Sequence, residues 1–100
     1  MLVLEAICAG PTYGYALLTD LSVRTNGLFA LKEGTLYPIL YRLEDDGLIV
    51  SNWSAPEGRT APKKIYTATE AGQNVRRERA QIWHLFTGTV STYLAKGSEL

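Results

Sequence analysis

Glu33-Gly34-Thr35-Leu36-Tyr37-Pro38-Ile39-Leu40-Tyr41-Arg42-Leu43-Glu44-Asp45-Asp46-Gly47-Leu48-Ile49 reads as a short helix that runs directly into a strand. Leu36, Ile39, Leu40 and Leu43 recur at the spacing of one helix face, which leaves Thr35, Pro38, Tyr41 and Arg42 pointing away from the core. Pro38 fits only near a helix start, so the helix is expected to begin at Gly34 or Thr35 and to present its first turn outward. Gly47 supplies the stop.

Upstream, Leu2 to Ala9 is a short apolar segment closed by Gly10-Pro11, and Tyr13-Gly14-Tyr15 opens a second segment. The second helix carries Leu17, Leu18 and Leu21 on one face, keeps Asp20 and Arg24 off it, and ends near Thr25-Asn26-Gly27. Downstream, Leu48 to Trp53 and Lys64 to Ala68 are β-prone runs. Between them, Ser54 to Pro62 is rich in turn formers and carries Arg59 toward its tip, which makes a β-hairpin with Lys63 and Lys64 at the start of its return strand. Thr69 is a fair N-cap for a last helix with Glu70 in its first turn.

That last helix is expected to run to about Lys96. Ile82, Leu85, Phe86, Thr89, Val90 and Tyr93 follow the i, i+3, i+4, i+7 pattern along it, a longer stripe than a small three-helix head can cover. The surplus argues for a partner helix. The fold class is therefore mainly α with a small β-hairpin wing (α+β): a winged helix-turn-helix head over residues 1–68, and a C-terminal dimerisation helix over 69–100 continuous with it. In helix-turn-helix readers the N-terminal end of the second helix enters the major groove of DNA.

Composition bounds the rest. The 100 residues make one domain by length, and ten basic and ten acidic residues give a net charge of zero. A generic polyanion binder would be basic, so any positive charge used on DNA is local. Cys8 is the only cysteine, cannot form an internal disulfide and lies in an apolar stretch, which reads as a buried small hydrophobe in a reducing, cytoplasmic compartment. No basic region precedes the N-terminal apolar residues, and no run reaches the roughly 18 residues that span a bilayer, so neither secretion nor a membrane partner is expected. Cys8 and His84 are the only Cys and His, no carboxylate pair sits in a recognisable motif and Gly-rich phosphate loops are missing. Catalysis, a metal site and a cofactor are not expected.

The order of elements and several local strings resemble the PadR family of bacterial transcriptional regulators over nearly the whole chain. Gly10-Pro11-Thr12-Tyr13-Gly14-Tyr15 is similar to the family's Pro-x-His/Tyr-Gly-Tyr turn, and Glu33-Gly34-Thr35-Leu36-Tyr37-Pro38-Ile39-Leu40 resembles its Gly-Thr-Leu-Tyr helix start. Arg42-Leu43-Glu44 with Gly47-Leu48-Ile49 matches the passage into the wing, and Lys64-Ile65-Tyr66-Thr67-Ala68-Thr69-Glu70-Ala71-Gly72 the passage out of it. Each piece alone is weak, whereas their ordered combination is specific. The chain starts almost at the family's first helix, without the residues that commonly precede it, and its single C-terminal helix resembles the short subgroup.

The resemblance implies a homodimer in which the last helices pack together while two heads bind a two-fold operator, with recognition helices roughly 34 to 36 Å apart. Carried over, Thr35, Tyr37, Tyr41 and Arg42 would meet the groove or its flanking phosphates, Arg42 as the candidate for bidentate guanine contact. Lys32, Arg59, Lys63 and Lys64 would neutralise phosphates or enter the minor groove. Glu44, Asp45 and Asp46 at the far helix end would keep acid off the backbone. At the subunit seam, Ile82, Trp83, Phe86, Val90 and Tyr93 would pack the dimer, and Trp83 resembles in kind the aromatics with which some members line an aromatic or hydrophobic effector site. The implied function is a DNA-binding repressor released by a small molecule.

Each assignment has a plainer reading. Tyr37 and Tyr41 can be amphipathic tyrosines at the core boundary. Arg42 can pair along its own helix with Asp45 or Asp46. Lys63 and Lys64 can be solvated edge-strand charges, and Trp83 can be packing alone. For the whole chain, the competing class is a winged helix used as a protein-interaction module, which salt dependence separates from DNA binding.

Overall fold

The computed structural model describes residues 2–55 and 58–98. In chain order it contains α1 (Leu2–Cys8), α2 (Gly14–Arg24), α3 (Glu33–Asp45), β1 (Ile49–Trp53), β2 (Lys64–Ala68) and α4 (Glu70–Ser98). The first three helices bury one face each, with Val3, Leu4 and Ile7 meeting Leu17 and Leu21 and then Leu36, Leu40 and Leu43. Leu48, Ile49 and Tyr66 close this core from the hairpin side. Ile39, expected on the core face, packs at its edge and stays half-buried.

Local chemistry sets the boundaries. After α2, Asn26 (φ 52°) and Gly27 (φ 81°) take left-handed conformations and turn the chain. The Thr25 hydroxyl steadies this turn by accepting the Phe29 N–H at 3.0 Å. α3 starts at Glu33, one residue before the expected range, because the Lys32 carbonyl already accepts the Thr35 and Leu36 N–H groups at 3.0 Å. Its far end is a Schellman cap: Leu48 N–H bonds Leu43 C=O at 3.0 Å, Gly47 N–H bonds Glu44 C=O at 2.9 Å, and Gly47 takes φ 73°. Leu48 is spent closing the helix, so β1 begins at Ile49 rather than at Leu48.

The hairpin is antiparallel, pairing Ile49 with Ala68 through to Trp53 with Lys64. Lys63 lies just before β2. Thr12 adds a bridge to Tyr66, its N–H donating at 3.1 Å and its carbonyl accepting at 2.7 Å, which ties the α1–α2 turn to the wing. In β2 only Tyr66 is buried, so the alternation expected there is reduced to one inward residue. Of the turn-rich segment, Pro56 and Glu57 lie outside the described residues.

The root of α4 is fixed by several bonds. The Thr69 hydroxyl caps the helix by accepting the Gly72 N–H at 3.1 Å while donating to the Gly47 carbonyl at 2.7 Å, and the Thr69 N–H donates to Leu48 C=O at 3.0 Å. A Cβ on Gly72 would lie 2.0 Å from the Leu48 carbonyl oxygen, so glycine is what lets the helix seat this closely. Gln73 donates to Cys8 C=O at 3.2 Å, and Arg76 grips the Glu5 carboxylate with two bonds of 3.0 and 3.2 Å. Beyond this root the 29-residue helix projects for most of its length, about 43 Å at 1.5 Å per residue. The radius of gyration is accordingly 17.1 Å, against roughly 13 Å for a compact chain of this size.

Candidate nucleic-acid interface

The outer face of α3 is where the sequence placed a DNA reader. Thr35, Tyr41 and Arg42 are exposed there, Tyr41 to 56%. The Arg42 guanidinium forms no ion pair among the described residues, so the intrahelical pairing with Asp45 or Asp46 is not made. It stands free on the surface with its five donors available. Lys32, just ahead of the helix, is exposed as well.

Tyr37 sits differently. It is half-buried against the core, and its hydroxyl occupies the space a side chain at residue 14 would fill, 2.7 Å from the position of a Gly14 Cβ. Its ring lies 6.4 Å from that of Tyr41 at 36°. Tyr37 thus packs between Gly14 of α2 and the ring of Tyr41.

The wing cations are also unequal. Arg59 is exposed on the turn. Lys63 sits 4.4 Å above the Tyr13 ring. Lys64 is half-buried, 4.0 Å from Glu44 Oε1 and 5.7 Å from the Tyr66 ring. Glu44, at the far end of α3, faces the wing and takes up part of the Lys64 charge. Beneath them the Tyr66 hydroxyl is buried without a hydrogen-bond partner among the described residues, and burial, with the Glu44 carboxylate adding to it, pushes its phenol above the ordinary tyrosine range.

On distal α4, Ile82, Trp83, Phe86, Val90 and Tyr93 are all exposed, Ile82 to 66% and Tyr93 to 76%. Trp83 and Phe86 pair their rings at 5.9 Å. Leu94, four residues past Val90, extends the same apolar surface. Tyr13, Trp53 and Tyr66 were also missed, because what joins them to Lys63 and Lys64 is the fold rather than any spacing.

Among the described residues, no group of three or more His, Cys, Asp or Glu side chains could hold a metal ion, and no helix is long and apolar enough to cross a membrane.

Comparison with known proteins bears on this geometry. The family profile described as the transcriptional regulator PadR-like family matches residues 3–78. A transcriptional regulator of Mycobacterium tuberculosis, Rv3488, is 47% identical over 45 residues, which are 45% of this chain and 40% of that relative. A PadR family transcription regulator from hypervirulent Clostridium difficile superposes with a TM-score of 0.81 at 29% identity, covering 93% of this chain and 94% of that one. One from Eggerthella lenta gives a TM-score of 0.76 at 35% identity, covering 93% and 80%. These relatives are transcriptional regulators rather than enzymes, and the two solved structures share the four-helix and hairpin architecture.

Proposed function

We propose that this chain, which belongs to the transcriptional regulator PadR-like family, is a cytoplasmic homodimeric repressor that seats two α3 helices in successive major grooves of a near-palindromic operator. The observation that carries this reading is Arg42, exposed on the outer face of α3 beside Thr35 and Tyr41 with no carboxylate partner among the described residues. A guanidinium so presented matches the two acceptors of a guanine edge. Lys32, Arg59 and Lys63 flank that face and supply the phosphate contacts that set register.

Dimerisation is supported by the apolar surface of distal α4, which the chain's own head leaves uncovered. A second copy covers it most simply, because an isologous pairing of two such helices buries both stripes at once. Trp83 and Phe86 are the anchors of that seam, and a hydrophobic effector inserted there acts by changing the separation of the heads. It shifts DNA affinity only as far as it binds the two arrangements unequally.

Fluorescence anisotropy against DNA from upstream of the chain's own gene and a scrambled control, at two salt concentrations, tests the regulator reading. Tight, salt-sensitive and selective binding is expected. Equal binding to both DNAs at either salt would move the reading to a protein-interaction module. Sedimentation equilibrium tests the seam: Phe86→Glu is expected to yield monomers where the parent chain is dimeric, and an unchanged dimer would sink the α4 assignment.

A further inference from the structure

The arm of α4 changes character past its root. Glu70, Arg76, Arg77, Glu78 and Arg79 crowd its beginning, whereas residues 80–95 include no Asp, Glu, Lys or Arg. Every residue from 81 to 96 except Thr87 is exposed, so this stretch has little burial against the head and no Glu–Lys pair along its own face to support it. In its middle lies Thr87-Gly88-Thr89-Val90-Ser91-Thr92. Thr87, Thr89, Val90 and Thr92 are β-branched and lose side-chain freedom in a helix, and Gly88 loses the most backbone freedom of any residue. The hydroxyls also turn back on the helix: Thr87 donates to the Trp83 carbonyl at 3.0 Å, Thr89 to that of Leu85 and Thr92 to that of Gly88, both at 2.9 Å. Back-bonding of this kind weakens and bends a helix.

An isolated helix is marginal in water even when built of good helix formers, and this run contains none of them. Yet Phe86, Val90 and Tyr93 lie on one side of the same stretch, all exposed. Such a helix is held by whatever covers its apolar face. The charge pattern says what that is. A partner of either sign finds no counter-charge over residues 80–95, and a lipid surface has only Lys96 to attract it. A second copy meets no like-charge penalty in either helix direction and brings the same apolar stripe.

We propose that α4 from Thr87 onward folds on association: a second copy of this chain supplies the surface on which residues 87–92 become helical, and in the separated subunit that run is unwound. The inference rests on the homodimer reading and goes beyond it, because arm folding and dimerisation become one event. A fixed spacing of the two heads then exists only in the pair.

Gly88→Ala tests this, read by sedimentation equilibrium of the full chain. Gly88 is two residues from both Phe86 and Val90, on the opposite side of the helix, and a Cβ there meets nothing within 4 Å, so the methyl alters helix propensity and leaves the seam alone. If the run folds on pairing, alanine favours the folded arm about fivefold in each chain, and the dissociation constant falls roughly 25-fold because both copies carry the change. Gly34→Ala, the same substitution in the head, should leave the constant where it is. An unchanged constant for Gly88→Ala would show an arm already helical in the free subunit, and a raised one would put Gly88 inside the seam; either overturns the proposal while the dimer stands. A parent chain monomeric at every concentration would remove the dimer reading and the proposal with it.

Far-ultraviolet circular dichroism gives a second reading. About a fifth of the helical residues lie from Thr87 to the end of α4, so the Phe86→Glu monomer should lose about that share of the helix signal, although glutamate is the better helix former of the two. Full helix signal in that monomer would overturn the proposal. A parent chain whose helix signal rises with phosphatidylcholine vesicles and not with its own concentration would assign the stripe to a membrane and overturn it as well.

Discussion

Replacing Gly72 by alanine probes the joint on which α4 is mounted. In an ordinary helix interior the change stabilises by about 1 kcal/mol. Here the new Cβ would lie 2.0 Å from the Leu48 carbonyl oxygen, while ordinary contact begins at 3.4 Å. Neither side can yield cheaply. The Leu48 carbonyl accepts the Thr69 N–H at 3.0 Å, and the Thr69 hydroxyl binds both the Gly47 carbonyl and the Gly72 N–H. Overpacking of this kind costs about 1–3 kcal/mol, and displacing the cap adds about 1 kcal/mol. Set against the propensity gain, the net loss is about 2 kcal/mol, a Tm lower by roughly 10 °C for a domain of this size. Gly34→Ala is the control, since a Cβ there meets nothing within 4 Å, and a gain of about 0.5 kcal/mol is expected. Urea and thermal denaturation of all three proteins at one concentration measure the differences, the concentration being fixed because dimerisation would otherwise shift the midpoints. A Gly72→Ala protein as stable as the parent, or one shifted in the same direction as Gly34→Ala, would refute the close seating of α4 on Leu48.

Two other outcomes follow from the same side chains. Arg42→Ala should lose about 1–3 kcal/mol on operator DNA and little on scrambled DNA, whereas Lys63→Ala should weaken both alike and lower the salt slope by about one; Lys64→Ala, already paired with Glu44, should lower it less, and equal slopes for the two lysine variants would contradict that pairing. Burial raises the Cys8 thiol above its ordinary value, with Arg76 opposing and Glu5 reinforcing the shift. Its contribution to stability is therefore full below the unfolded thiol's pKa, about 8.5, and is lost as pH rises through the folded value. Alkylation of Cys8 followed against pH should lag a free thiol's profile toward alkali, and a coincident profile would show the thiol to be unburied.

The fold was legible because its decisive signals are local. Apolar spacing at Leu36, Leu40 and Leu43, the Asn26-Gly27 and Gly47 stops and the Thr69 cap each act within a few residues, so a one-dimensional reading finds them. Element ends slipped by a residue where a backbone group was claimed by its neighbour, as at Lys32 and Leu48. The site was legible only in part. Arg42 and Tyr41 project from one helix whose outer face periodicity defines. Tyr37 could not be assigned by periodicity, because its placement depends on the absent side chain of Gly14 in another helix. Lys64 looked like a free cation, and the turn that brings Glu44 within 4.0 Å of it is a tertiary event. Tyr13 and Tyr66 stood in the strings that carry the family resemblance, but nothing in the sequence brought them together with Trp53.

The bonds from Thr69 to Gly47 and Leu48 join the end of α3 to the beginning of α4 through a single corner. Mechanically, α3 and α4 form one bell-crank. A rotation of one degree about that corner would move the tip of an arm about 43 Å long by about 0.75 Å. Because the corner is clamped by the Thr69 cap, the close seating of Gly72 and the Arg76–Glu5 grip, the head and the root of α4 turn as one piece, and bending is left to the stretch of α4 beyond Arg76.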